Sequence, residues 1–151
     1  MTTQDCLAAA ARIETQFRDV YAALARRFGH RPDLRDLFLR LAEEEEQHAQ
    51  RIRLLARQQR EAAWDPDVLS GLAWGLDSMA SELAGLGREF EAATEADVPS
   101  ILRRVIELEG RTGSFHAEEL ARSGDPEIRS FFSALSRQDE RHQELLTHSL
   151  A

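Results

Sequence analysis

Four stretches of this chain repeat apolar side chains every three or four residues, and in each an acidic residue sits in the middle of the apolar stripe. Successive residues of an α-helix turn by 100°, so positions three and four apart share a face. With Glu14 as origin, Leu7, Ala10, Tyr21, Ala25 and Phe28 fall within about 40° of it, and Arg18 is the one charged companion. Leu34, Phe38, Leu41 and Ile52 flank Glu45 in the same way. Leu102, Val105, Gly113, His116 and Leu120 flank Glu109, and Ile128, Phe132, Leu135 and Leu146 flank Asp139. His48 and His142 follow Glu45 and Asp139 by three residues, about 60° round the same side. Glu43, Glu46 and Glu107 point away from these stripes and read as solvated charges. A chain patterned like this has one economical fold, in which helices turn their stripes inward and carry the carboxylates with them.

The punctuation divides the chain into two helical hairpins. Helical patterns run from about Asp5 to Phe28, ending at Gly29, and from Pro32 to about Arg60. Two more run from about Asp97-Val98-Pro99 to Gly124, and from Asp125-Pro126 to the end. The loops at 29–32 and 124–126 are short enough to make each flanking pair antiparallel. Between them, Val68, Leu72, Leu76, Met79, Leu83, Leu86 and Phe90 predict either one further helix or two broken near Gly85-Leu86-Gly87. The expected architecture is therefore all-α, a single four-helix bundle with hairpin 1 at about 5–60, a partly helical crossover at about 61–96 and hairpin 2 at about 97–151. The hairpins also align with each other. Glu45 pairs with Asp139 and His48 with His142 at an offset of 94, and Glu14 pairs with Glu109 and Tyr21 with His116 at an offset of 95. A duplicated hairpin is the simplest account.

Composition removes several function classes. Of 151 residues, 19 are basic and 27 acidic, giving a net charge of −8, which disfavours a phosphate-binding surface and hence nucleic acid. One cysteine, Cys6, excludes an internal disulfide and a CxxC metal module. No apolar run approaches the roughly 18 residues of a membrane span, and the start of the chain shows no secretory signal, so a reducing cytoplasm is the expected setting.

A carboxylate in a dry core is costly unless neutralised, and four together repel one another. Two divalent cations would balance four such charges, and a histidine one turn after a carboxylate reaches the same ion. One Glu from each of two helices and a Glu-x-x-His from each of two others is the arrangement of di-iron and di-manganese carboxylate bundles. On Glu14, Glu45-Glu46-Gln47-His48, Glu109 and Asp139-Glu140-Arg141-His142, the chain resembles the rubrerythrin-like branch of the ferritin-like superfamily over most of its length. That resemblance implies two iron ions, with manganese or zinc as alternatives. Glu45 and Asp139 would bridge, Glu14 and His48 would serve one ion, and Glu109 and His142 the other. It implies a tyrosine at Tyr21 hydrogen-bonded to ligand carboxylates. It also implies a non-haem oxidoreductase acting on peroxide, O2 or Fe2+, with a separate electron-donor protein because the rubredoxin module of longer relatives is absent.

Three departures stand out. Asp139 replaces the usual Glu and is one methylene shorter. His116 takes the second tyrosine position, as a partner of a ligand or as an extra ligand. Thr112 stands where rubrerythrin peroxidases carry an additional glutamate. Two other functions fit the pattern, a ferroxidase in iron storage or detoxification and a metal-free helical scaffold. Cys6 is expected to serve packing and Trp64 and Trp74 to serve packing or a dimer contact, with the crossover face buried on the bundle or in a homodimer.

Overall fold

A computed structural model describes residues 1–123 and 125–150 of the chain, and among these it is all-helical. Helix α1 spans Thr3–Arg27, α2 Pro32–Gln58, α3 Pro66–Phe90, α4 Val98–Phe115 and α6 Pro126–His148. A short 3-10 turn, Glu95–Asp97, leads into α4. A π-helical turn, His116–Leu120, leads out of it into the three-residue α5, Ala121–Ser123. None of the described helices is long and apolar enough to cross a membrane.

Local chemistry accounts for the helix starts. Thr2 and Asp5 form a reciprocal capping box, with Thr2 Oγ1 accepting from Asp5 N at 3.1 Å and Asp5 Oδ2 accepting from Thr2 N at 2.8 Å. Asp65 and Asp125 cap α3 and α6, each followed by a proline at the first helical position, where a missing N–H costs nothing. Helix α2 also starts on a proline, Pro32.

Helices α1 and α2 pack antiparallel, which is visible where Gln4 near the start of α1 donates to the carbonyls of Ala56 and Gln59 at the end of α2. Helices α4 and α6 do the same, with Ser136 Oγ donating to Gly113 O and Gln143 Nε2 donating to Ile106 O. The two hairpins meet along α2 and α6, and α3 lies across α1. Leu7, Phe17, Leu24, Phe38, Leu41, Ile52, Leu102, Phe132 and Leu146 fill the interior between them. Removing their apolar area from water is what holds the bundle together.

The crossover takes the first of its two expected forms and departs from expectation where its stripe begins. It is a single helix with no break at Gly85 or Gly87, because Leu83, Leu86 and Phe90 continue one buried stripe through them. The stripe begins at Leu69 instead of Val68, which is 39% exposed. Trp64, ahead of this helix, is buried and its backbone N–H donates to Thr3 Oγ1 at 2.9 Å, whereas Trp74 is 78% exposed. The third bundle pattern, expected to continue to Gly124, changes character at His116. There Ala121 N–H donates to His116 O, five residues back, which inserts one residue into the turn. Gly124, the expected cap of that helix, lies outside the described residues, as does the chain end at Ala151. Helix α6 stops at His148.

Candidate metal centre

Each of the four bundle helices delivers one carboxylate to the middle of the interior. Glu14 comes from α1, Glu45 from α2, Glu109 from α4 and Asp139 from α6, and none is more than 1% exposed. They are there because each sits on the stripe that hydrophobic burial turns inward. His48 and His142, three residues after Glu45 and Asp139, are buried with them, and their rings stack at 5.3 Å with an interplanar angle of 12°.

These side chains converge in two groups that could each hold a metal ion. One is Glu14, Glu45 and His48, and the other is Glu45, Glu109 and His142, so Glu45 belongs to both. His48 Nδ1 lies 3.2 Å from Glu45 Oε2 and 3.4 Å from Glu14 Oε2. His142 Nδ1 lies 2.9 Å from Glu45 Oε1 and 3.3 Å from Glu109 Oε1. The two oxygens of Glu45 therefore face opposite histidines. Asp139, also expected among the ligands, is in neither group. Its Oδ2 is 2.7 Å from His116 Nδ1, and the other nitrogen of that ring, Nε2, is 3.3 Å from Glu14 Oε1.

Tyr21 donates its hydroxyl proton to Glu109 Oε1 at 2.5 Å, from a ring stacked between Phe17 and Phe38. The tyrosine of one hairpin thus orients the carboxylate of the other. Thr112 is buried, but its hydroxyl lies 3.7 Å from Met79 Sδ on α3. Arg18, the charged companion on the first stripe, reaches half-exposed to Glu46 at 2.5 Å and Asp19 at 2.8 Å.

One contributor escapes a helical wheel. Glu44 Oε2 is 2.8 Å from His142 Nε2, on the side of the ring facing away from the carboxylates. A carboxylate on the outer nitrogen fixes an imidazole's orientation and leaves the inner nitrogen for a metal. Glu44 is held in turn by Arg40 at 3.1 Å. The residue lies off the apolar stripe of α2, and what brings it to His142 is the meeting of α2 with α6. The one sequence signal available was the acidic run Glu43-Glu44-Glu45-Glu46.

The electrostatics are those of an interior crowded with charge. Burial, then Glu109 and Glu14, push Glu45 well above the usual carboxylate range. Burial pushes Asp139 up to about 6 against the pull of His116. Burial also acts upward on Glu14, but the imidazoles of His116 and His48 outweigh it and hold that carboxyl low. For His48 and His116 burial acts downward, yet the facing carboxylates raise both to about 10. His142 is raised in the same way by Glu109, Glu44 and Glu45. Burial and Glu109 keep Tyr21 protonated far beyond the ordinary phenol range.

Both oxygens of Glu14, Oε1 of Glu45 and Oε2 of Glu109 are buried and accept no hydrogen bond from the described residues. The imidazoles 2.9–3.4 Å from three of these atoms lie off the hydrogen-bonding direction. An orphaned buried acceptor costs about 1–3 kcal/mol, and a charged one more. Cations held among these oxygens would remove that cost. Carboxylate oxygen with imidazole nitrogen, and no thiolate, is a donor set for iron, manganese or zinc.

Residues 5–68 match the family model for rubrerythrin, a span that includes Glu14, Tyr21, Glu45 and His48. No curated protein and no solved structure matches the chain.

Proposed function

From the rubrerythrin match over its first hairpin and the all-helical, ferritin-like bundle, we propose that the chain is a rubrerythrin-like oxidoreductase. It reduces peroxide or O2 at a dinuclear iron centre held by Glu14, Glu45, His48, Glu109 and His142. The observation that carries this is the pair of buried donor groups sharing Glu45, with carboxylate oxygens that accept no hydrogen bond from the described residues. Two irons bound there would supply open coordination positions and the electrons for reducing the oxidant.

The chain's own residues do the rest. Glu45 offers one oxygen to each group and so sets their separation. His48 and His142 present Nδ1 inward, and Glu44 holds the outer nitrogen of His142. Tyr21 keeps the Glu109 carboxylate in one orientation and carries a proton on its hydroxyl next to the centre. The surrounding Phe17, Phe38 and Phe132 exclude water. A separate protein supplies electrons, and two copies of the chain pair, with the exposed Trp74 side chain at their contact.

Anaerobic addition of Fe(II) to metal-free protein should give roughly two irons per chain, and H2O2 or O2 should then produce di-ferric absorption. Protein purified without chelator that holds no metal and takes up none would leave only a structural scaffold. Continued oxidation of Fe(II) far beyond that stoichiometry, with mineral accumulating, would point to ferroxidase turnover instead.

A further inference from the structure

The internal repeat makes Asp139 the counterpart of Glu45 and His116 the counterpart of Tyr21. Were the halves equivalent, Asp139 would be shared between the two donor groups as Glu45 is, and His116 would hold Glu14 as Tyr21 holds Glu109. The second relation is kept as proximity without a hydrogen bond, since His116 Nε2 lies 3.3 Å from Glu14 Oε1 but off its hydrogen-bonding direction. The first is not. An imidazole has a second nitrogen where a phenol has none, and that nitrogen, Nδ1, is 2.7 Å from Asp139 Oδ2. One ring therefore spans two carboxylates, and Asp139 stands outside both donor groups.

Everything around this pair fixes it in place. His116 is 1% exposed, lies against the Phe132 ring at 5.7 Å, and opens the π-helical turn. Asp139 is backed by the α4 backbone at Gly113, where even a methyl group would come within 3.2 Å of Asp139 Cβ. Its side chain is one methylene shorter than that of Glu45, and it is buried with the histidine against it.

We propose that His116 is a positioning residue that clamps Asp139 outside the metal set, so that Glu45 is the sole bridging carboxylate of the centre. The inference rests on the metal reading above, and it makes the two halves of a duplicated site chemically unequal.

Cobalt(II) is a suitable probe, because its visible absorption reports coordination and its affinity follows from competition titration. Wild-type protein, E45Q, D139N, H116F and the H116F/D139N double variant are compared. Glu45→Gln is expected to cost more than about 100-fold in Co(II) affinity, and Asp139→Asn less than about 10-fold, because its partner is His116 and not a ligand, whereas direct partners of ligands cost about 10- to 100-fold. His116→Phe keeps an aromatic ring against Phe132 but frees Asp139. The Co(II) absorption should then weaken as an oxygen donor joins, and Asp139→Asn in that background should cost more than about 10-fold. A D139N loss as large as that of E45Q in otherwise wild-type protein overturns the clamp. So does a Co(II) spectrum and D139N penalty that H116F leaves unchanged. The D139N and E45Q comparison decides the question even if H116F does not fold, because the amide of the D139N variant keeps an oxygen facing His116. Wild-type protein that binds no Co(II) overturns the metal reading itself, a result distinct from failure of the clamp.

Discussion

At Tyr21 a single hydroxyl bears on both fold and site. Tyr21→Phe retains the stack with Phe17 and Phe38 but removes the donor from a buried carboxylate. Metal-free Y21F should be less stable by about 1–3 kcal/mol in denaturant unfolding, with an unchanged helical spectrum. Glu44→Gln should weaken metal binding by about 10- to 100-fold without a comparable loss of metal-free stability. Protonation can be followed at the same scale. His48 and His116, raised to about 10, stabilise the metal-free protein fully below the ordinary histidine value of 6.5, and that contribution disappears as pH climbs through about 10. Asp139, held up to about 6, acts in the same sense over a lower window, whereas Glu14 stabilises above about 4.5 and loses this as pH falls. Thermal melts of metal-free protein should therefore show a falling Tm from about pH 7 to about pH 10. The loaded protein should fall less, because metal replaces the proton on His48.

At the level of the helices, glycine environments separate close packing from open surface. Gly113→Ala places a methyl group against Asp139 and should cost about 1–3 kcal/mol. Gly85→Ala, on α3 with nothing within 4 Å, should stabilise by about 0.5–1 kcal/mol, both read from denaturant midpoints. The same contrast explains what the sequence revealed. The stripes of α1, α2, α4 and α6 were legible because each long helix buries one side, and the buried carboxylates came with them. Gly85 and Gly87 suggested a break, but a continuous buried stripe on α3 outweighs their propensity. The π-turn at His116 was not legible, since one inserted residue leaves no compositional mark. Glu44 and the pairing of His116 with Asp139 were hidden for another reason. Each depends on where a second helix lies, and periodicity within one helix carries no such information.

At the scale of the molecule, the two hairpins touch mainly where α2 meets α6, and the contact between Glu45 and His142 lies at that seam. Metal binding there should couple to global stability, because a ligand that binds only the folded chain stabilises it by mass action. Chelation should lower the Tm, and amide hydrogen exchange should quicken first in α2 and α6, with slower change in α3. Retained protection along that seam after complete metal removal would show that the hairpins hold together through their apolar contacts alone.

Because the two oxygens of Glu45 face separate donor groups, cations held in both would be coupled through that one side chain. Whatever factor an ion on the Glu14 side imposes on affinity at the Glu109 side, an ion on the Glu109 side must impose in return, whichever arrives first. Partial loading is thus governed by one coupling constant, and equilibrium titrations begun from either side must converge on the same populations.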